Sequence, residues 1–254
     1  MTTENLPGRE NDDLGDAARR RFVSSLAAVA AVPGVFLQTV AEAARPADQP
    51  VTDKVRWGLL IDTEKCNDGC DACIKACDEE HNLEGFGRPT TDAQWIRKLT
   101  ARDKRTGRVV TMPMLCQHCE HPPCVDVCPT GASFRRVDGI VLVDKHTCIG
   151  CRYCMMACPY KARSFIHETL HDQKPYAPRG KGTVESCTMC VHKVDRGDGT
   201  TACAEACDEE GHQAILFGDL YDPDSEISQR MRERGATQIR ADLKLNTGVR
   251  YQGI

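Results

Sequence analysis

The chain has 254 residues, sixteen of them cysteines, an aromatic content of 5% and a formal net charge of −4. This length allows one or two small domains, and so few large side chains suggest that bound metal forms part of the core. The net charge says little about nucleic acid as a partner, and no basic tract suggests one.

The N-terminal segment, residues 1–43, has the features of an export signal. Arg19-Arg20-Arg21-Phe22 forms an R-R-x-F motif, a mildly apolar run covers 23–40, and Ala41-Glu42-Ala43 is an A-x-A cleavage pattern. We therefore expect a twin-arginine signal, which would export the folded, cofactor-loaded protein to the periplasm. The alternative is an uncleaved membrane anchor, which the Pro33-Gly34 break and the polar residues of the run disfavour.

After a polar linker over residues 44–55, the run 56–62 predicts a short buried strand. The strand leads into the first cysteine set, spaced C-x3-C-x2-C-x3-C: Cys66, Cys70, Cys73 and Cys77. Two further strands are expected over 95–100 and 108–112, joined by a turn at 104–107. They predict a β-hairpin inserted over the metal sites, in which Trp95 has a packing role or, alternatively, shields a cluster from solvent.

The second and third cysteine sets have the spacing of iron–sulfur proteins. They read C-x2-C-x4-C-x3-C-P and C-x2-C-x2-C-x3-C-P: Cys116, Cys119, Cys124 and Cys128, then Cys148, Cys151, Cys154 and Cys158. In such a run three close cysteines bind one [4Fe–4S] cluster, and the fourth, one helical turn on, binds the neighbouring cluster. Zinc and disulfides are the alternatives. A zinc site does not require proline after the fourth cysteine. Disulfides are disfavoured because these cysteines fall in dense groups of four with metal-ligand spacing.

Several residues near these two sets have less specific interpretations. The Val-Asp-Gly-Ile segment 137–140 predicts a hairpin turn between them. His118 and His121 are expected to form hydrogen bonds or lie at the surface, since four thiolates are available for each cluster. A loop over 170–182 is a candidate partner contact. Four cations flank the cysteines and are either solvated or balance cluster charge: Arg135, Arg136, Lys161 and Arg163.

The fourth set is spaced C-x2-C-x12-C-x3-C, which alone would also suit zinc: Cys187, Cys190, Cys203 and Cys207. Its last segment, 206–210, repeats the Ala-Cys-Asp-Glu-Glu of 76–80, so we expect the outer two sets to form one pair around the inner two. A strand over 214–220 and a helix from Glu226, capped by residues just before it, should follow. The tail from residue 237 is expected to dock on a partner or to lack fixed structure.

If the fourth cysteine of each set binds the cluster of the paired set, the sequence predicts four [4Fe–4S] clusters that use all sixteen cysteines. The first has Cys66, Cys70, Cys73 and Cys207; the second has Cys187, Cys190, Cys203 and Cys77; the third has Cys116, Cys119, Cys124 and Cys158; the fourth has Cys148, Cys151, Cys154 and Cys128.

The predicted fold is α+β, with two interleaved ferredoxin-like two-cluster modules and the inserted hairpin. The cluster domain covers 56–228, with an inner module over about 113–165 and an outer module over about 56–112 and 183–228. A C-terminal helix and docking tail cover 229–254. We find no nucleotide-binding glycine motif, nucleophile elbow or histidine metal set, so we expect an electron carrier that is not itself an enzyme.

The four sets in this order, with Leu-Cys-Gln-His-Cys-Glu-His-Pro-Pro-Cys at 115–124 and Phe-Gly-Asp-Leu at 217–220, resemble the four-cluster ferredoxin subunits of membrane oxidoreductases. These include the electron-transfer subunits of dimethyl sulfoxide, polysulfide and nitrite reductase systems. The Arg-Trp-Gly at 56–58, the extra residue before Cys70 and the missing proline after Cys77 and Cys207 look most like DsrO, the periplasmic iron–sulfur subunit of the Dsr transmembrane complex.

This resemblance implies a quinone-interacting, NrfD-like integral membrane subunit and a multihaem cytochrome c as partners, in dissimilatory sulfur metabolism. The chain would then be peripheral to the membrane, held there through its partners. One alternative is the β subunit of a molybdopterin oxidoreductase of the polysulfide, thiosulfate, tetrathionate or dimethyl sulfoxide reductase type. A structural zinc scaffold and an autonomous redox enzyme with a substrate-accessible cluster are the further alternatives.

Overall fold

The computed structural model describes residues 51–83, 85–171 and 173–254. The predicted export signal over 1–43 and the first part of the predicted linker lie outside these residues. Within them, no helix combines the length and the apolar character needed to cross a bilayer.

The described chain is built from short helices and strands joined by loops that carry many of the cysteines. The strands are β1 (Trp57–Asp62), β2 (Ile96–Arg102), β3 (Val109–Leu115), β4 (Ser133–Arg135), β5 (Val141–Val143), β6 (Ser164–Phe165), β7 (Val184–Glu185), β8 (Ile215–Asp219) and β9 (Val249–Gln252). The helices are α1 (Ala72–His81), α2 (Pro123–Asp126), α3 (Tyr153–Ala157), α4 (Val191–Arg196), α5 (Ala202–Glu209) and α6 (Glu226–Arg234), and one 3₁₀ turn covers Ala241–Leu243.

The largest sheet has three strands in the order β8-β1-β9, with β1 antiparallel to β8 and parallel to β9. The predicted strands at 56–62 and 214–220 are therefore confirmed. β1 is buried from its second residue to its last, as expected of a strand covered on both faces. Gly58 is required there, because a Cβ at this position would lie 2.5 Å from the Gly248 carbonyl oxygen of the neighbouring chain segment.

The expectation that the tail lacks fixed structure was wrong, while its docking on a partner stays a prediction. Residues 249–252 form β9, and the Tyr251 side chain is fully buried. Its hydroxyl donates to the Pro113 carbonyl oxygen at 3.2 Å and accepts from Gln117 Nε2 at 3.1 Å. The segment is polar on average and its apolar positions are only two residues apart, so its partner strand cannot be identified from local pattern.

The other predicted elements are confirmed with small changes of bounds. β2 and β3 form an antiparallel hairpin along their whole length, and β4 and β5 flank the predicted turn at 137–140. α6 begins at Glu226 because Ser225 Oγ accepts the Ser228 N–H at 3.3 Å, which caps the first helical turn. α1 packs against α5, and α2 packs against α3.

The loop over 170–182, a candidate partner contact, packs on its own chain through a buried ion pair. Arg179 and Glu185 are 6% and 0% exposed. Their two parallel contacts, Nη2 to Oε1 at 2.8 Å and Nε to Oε2 at 2.9 Å, have the bidentate geometry of a strong arginine–carboxylate pair. The pair fixes the end of this loop beside β7.

Replacing Glu185 with alanine is expected to lower the free energy of unfolding by about 3–5 kcal/mol, because it leaves the Arg179 charge buried without its partner. Chemical denaturation of the cluster-loaded protein measures this change. The control is Glu168→Ala, which breaks the surface pair of Glu168 with Arg88, whose side chains are 40% and 42% exposed. That variant should lose less than about 1 kcal/mol, and equal losses in both variants would refute the prediction.

Candidate metal centres

The structure brings the sixteen cysteines together in four groups, and none of them is in a disulfide. Site A has Cys66, Cys70, Cys73 and Cys207. Site B has Cys77, Cys187, Cys190 and Cys203. Site C has Cys116, Cys119, Cys124 and Cys158. Site D has Cys128, Cys148, Cys151 and Cys154. These groups have the same members as the four sets predicted by exchange of the fourth cysteine.

Helix geometry explains why the fourth cysteine of each set belongs to the site of the paired set. Cys73 and Cys77 are four positions apart on α1, close to one helical turn, and they belong to sites A and B respectively. On α5 the order is reversed, because Cys203 belongs to site B and Cys207 to site A. Since α1 packs against α5, each helix supplies one sulfur to each of the two sites.

Helices α2 and α3 repeat this arrangement for the other two sites. Cys124 lies on α2 and belongs to site C, and Cys128 follows the helix and belongs to site D. Cys154 lies on α3 and belongs to site D, and Cys158 follows that helix and belongs to site C. The nested repeat expected from the sequence therefore has a structural counterpart.

The four sites form a series in which each lies close to the next. Cys73 of site A lies close enough to Cys203 of site B for their charges to interact. Cys187 of site B lies similarly close to Cys116 of site C. Cys124 of site C lies similarly close to Cys154 of site D. The order is A-B-C-D.

Exposure changes along this series. All eight cysteines of sites B and C are buried. At site A three of the four thiols are only partly buried, and at site D Cys151 is exposed. The two end sites therefore reach the surface, while the two middle sites are enclosed by protein.

At each end site the four thiols converge on one cavity. Those of site A line a cavity with Ile61, Pro113 and Ala214 in its wall, and those of site D line another. In the described chain, no three Cys, His, Asp or Glu side chains are arranged to hold a single metal ion.

Hydrogen-bond donors point at sulfur in all four sites. The donors are Ala214 N–H to Cys207 Sγ at 3.2 Å, Met189 N–H to Cys187 Sγ at 3.3 Å, Arg163 Nη2–H to Cys124 Sγ at 3.0 Å, Ser133 N–H to Cys128 Sγ at 3.3 Å and Val184 N–H to Cys148 Sγ at 3.5 Å. A thiolate accepts such bonds better than a thiol. The donor set therefore favours the ionised form that iron binds.

Without metal, burial opposes ionisation of most of these thiols. Burial and the neighbouring thiols raise the pKa of Cys73 to about 12, and burial does the same to the pKa of Cys190. At the partly exposed Cys128, burial acts in the same direction, but hydrogen bonds from Ser133 and Thr130 outweigh it and lower the pKa. Iron must therefore displace protons from the buried thiols as a cluster is bound.

Gly150 closes the cysteine loop of site D. Its φ of +70° is left-handed, and a Cβ here would lie 2.1 Å from the Gly182 carbonyl oxygen. Only glycine allows the loop to approach that neighbouring chain segment.

Replacing Gly150 with alanine is expected to remove the cluster of site D, lowering the iron content by about four per chain while three clusters remain. Iron analysis and EPR spectroscopy measure this loss. Gly131→Ala is the matched control, since φ there is +69° but nothing lies within 4 Å of an added Cβ. It should cost about 1–3 kcal/mol of backbone strain and retain all the iron, so a full complement in Gly150→Ala would contradict the prediction.

The histidines, the tryptophan and the cations that were not expected to bind metal also have defined positions in the structure. His118 is fully buried and its Nδ1 accepts the Val141 N–H at 3.0 Å, whereas His121 is exposed. Trp95 is 3% exposed, which confirms its packing role. Of the four cations, Arg136 pairs with Asp138 and Asp195, Lys161 is exposed, and Arg163 is buried.

Two further residues near the sites carry no recognisable sequence signal. His81 is fully buried, with Nε2 at 3.5 Å from Cys190 Sγ and its ring centroid 4.4 Å from that of Trp95. Burial lowers its pKa to about 4, so it is neutral near pH 7. Lys98 of β2 donates to the carbonyl oxygens of Asn67, Asp68 and Cys70. The inserted hairpin thus holds the cysteine loop of site A.

Known proteins share this pattern over most of the chain. Models of a 4Fe-4S dicluster domain match residues 65–132 and 107–219. The Hdr-like menaquinol oxidoreductase iron–sulfur subunit 1 of Archaeoglobus fulgidus is 39% identical, over 92% of this chain and 97% of that protein. Protein NrfC of Escherichia coli K12 is 37% identical over 85% and 86%. One of the tetrathionate reductase subunits of Salmonella typhimurium is 35% identical over 86% and 80%.

Proposed function

Because the chain belongs to the family of four-cluster ferredoxin-type iron–sulfur subunits of oxidoreductase complexes, we propose that its sites A to D form one electron path between two redox partners. The chain is a non-catalytic electron-transfer subunit with four [4Fe–4S] clusters. The single observation that carries the proposal is the serial order of the sites, with enclosed sites in the middle and surface-reaching sites at both ends.

Each site holds one cluster through its four cysteines. Sites C and D belong to an inner module over about 113–165, and sites A and B to an outer module over about 56–112 and 183–228. The short helices support this assignment, since each pair of packed helices shares its sulfurs between two sites. The cavities and the donors to sulfur fit a cluster, which accepts and releases one electron at a time.

A path of several steps is needed because of the size of the domain. About 210 residues give a radius of gyration of roughly 17 Å, so opposite surfaces are some 40 Å apart. Clusters placed in series divide this distance into short transfers. The protein encloses the middle clusters, positions each next to its neighbour and leaves an end cluster accessible on each side.

The partners are an NrfD-like, quinone-interacting integral membrane subunit at one end and a multihaem cytochrome c at the other. The relative named as a menaquinol oxidoreductase subunit supports the quinone side. The chain would be a periplasmic protein, exported by the twin-arginine route and attached to the membrane through its partners, in a complex of dissimilatory sulfur metabolism. Within the family, the Arg-Trp-Gly at 56–58 and the absence of proline after Cys77 and Cys207 favour the DsrO type.

A second candidate places a molybdopterin catalytic subunit at the far end. The relative that is named as part of a tetrathionate reductase favours this version. The electron path is the same in both, so only the terminal partner differs.

Native purification distinguishes the two. The full chain is tagged at its C-terminus and the complex is extracted from membranes in mild detergent. A c-type haem absorption band with an integral membrane subunit supports the first version, and molybdenum or tungsten with a large subunit supports the second. A chain that purifies alone, with its iron, from both membrane and soluble fractions would overturn the proposal of two partners.

A further inference from the structure

Arg163 carries a positive charge in the interior, between the two sites of the inner module. It is 5% exposed, and its Nη2 donates to Cys124 Sγ of site C at 3.0 Å and to Ser133 Oγ at 2.8 Å. Cys154 of site D also lies close enough to interact with the guanidinium charge. One side chain therefore faces a sulfur from each of two neighbouring sites.

The backbone explains why Arg163 points inwards while its neighbour does not. Lys161 has a left-handed φ of 52°, which turns the chain as it leaves Cys158. The Lys161 side chain is exposed, and Ala162 and Arg163 are then buried. This local turn separates two cations that look alike in sequence.

The surroundings of Arg163 lack an ordinary counter-charge. Among the described residues, its Nε and Nη1 have no hydrogen-bond partner although both atoms are buried, and the groups of opposite charge that act most strongly on it are Cys124, Cys116 and Cys154. A buried charge is costly unless it is paired and hydrogen-bonded. A [4Fe–4S] cluster bound by four thiolates has a net negative charge and becomes more negative on reduction, so two such clusters would supply the missing partner.

We propose that Arg163 sets the reduction potentials of the clusters at sites C and D together, because its guanidinium stabilises the reduced form of both. This proposal rests on the cluster assignment made above. Hydrogen bonds to cluster sulfurs and nearby charge are known determinants of cluster potential. A shared cation raises both potentials in the same direction, so its removal should lower both.

The test is an EPR-monitored redox titration of the purified full-length protein and three variants. In Arg163→Gln, two of the four clusters should titrate at lower potential and two should not move. Arg163→Lys keeps the positive charge but loses the planar guanidinium group, so the two potentials should shift less than in Arg163→Gln. Lys161→Gln removes an exposed cation from the same loop, and all four potentials should stay at the wild-type values, since water screens that charge.

A variant that lacks one cluster identifies the clusters whose reduction potentials shift. In a protein that lacks the site D cluster through Cys128→Ala and Cys151→Ala, adding Arg163→Gln should lower one potential rather than two. The proposal is overturned if all four potentials are unchanged in Arg163→Gln, if the clusters that move are not those of sites C and D, or if Lys161→Gln gives the same shift.

Should Arg163→Gln fail to assemble, the wild-type protein still tests the idea. With ¹⁵N-labelled arginine, pulsed EPR of the reduced protein should show a ¹⁵N coupling at an inner-module cluster, and Arg163→Lys should lose it. Absence of this coupling in the wild type would overturn the proposal. If instead the wild-type protein lacked the four cluster signals, the electron-carrier function would fail, which separates the two results.

Discussion

Removing the cluster of site C is expected to stop electron transfer through the chain while the end clusters remain. Replacement of Cys116 and Cys119 with alanine takes away two of the four sulfurs of a buried middle site. Because sites A and B would then be separated from site D by the width of a missing cluster, reduction of one end should no longer reach the other within the turnover time.

The measurement uses the purified complex, reduced by quinol and frozen at short times for EPR. In the wild type, the clusters at both ends should become reduced. In the double variant, only the cluster at the end that receives electrons from quinol should become reduced, and the cluster at the other end should be reduced no faster than in a sample without quinol. Iron content should fall from about sixteen to about twelve per chain. His121→Ala, an exposed substitution close to the same loop, should keep both iron and transfer. Undiminished transfer with only about twelve irons would refute a single series of sites.

Removing all the iron is expected to unfold the described chain rather than leave an empty scaffold. Seven cysteines are members of the largest buried core: Cys77, Cys116, Cys119, Cys158, Cys187, Cys203 and Cys207. The helices that carry cysteines, α1, α2, α3 and α5, are four to ten residues long, too short to be stable alone. Metal binding in small metal-dependent domains contributes about 10–16 kcal/mol, comparable with the whole stability of about 5–15 kcal/mol of an ordinary domain.

Far-UV circular dichroism after chelation under reducing conditions tests this expectation. Most of the helix and strand signal should be lost, and it should return when iron and sulfide are restored. The protein lacking only the site D cluster, through Cys128→Ala and Cys151→Ala, is the control. It should keep most of its signal, because that site lies at the surface. A native-like spectrum in iron-free protein would show that the apolar core alone maintains the fold.

The parts of the fold that could be predicted are those with a local chemical pattern. Cysteine spacing predicted the four groups, because a separation of four residues on a helix places successive sulfurs one turn apart. The Asp-Gly turn between β4 and β5 and the capping Ser225 of α6 are equally local. Each depends on residues that are near one another in sequence.

The parts that could not be predicted depend on contacts between distant segments. β9 pairs with β1 across almost the whole described chain, and two buried apolar residues do not identify such a partner. Lys98 reaches the loop of site A, and His81 reaches Cys190, only after the elements have packed. Arg163 and Lys161 were indistinguishable as flanking cations, because the left-handed turn at Lys161 and the packing around Arg163 leave no local pattern in the sequence.

The most direct test of the central claim, that each site takes sulfurs from two different cysteine sets, is a pair of double variants that share Cys128. Cys128→Ala with Cys151→Ala removes two sulfurs that are distant in sequence but belong to site D. Cys128→Ala with Cys124→Ala removes two that are close in sequence but belong to sites D and C. Iron analysis and EPR should show one cluster lost in the first variant, with about twelve irons left, and two clusters altered in the second. Two altered clusters in the first variant and one in the second would contradict the account.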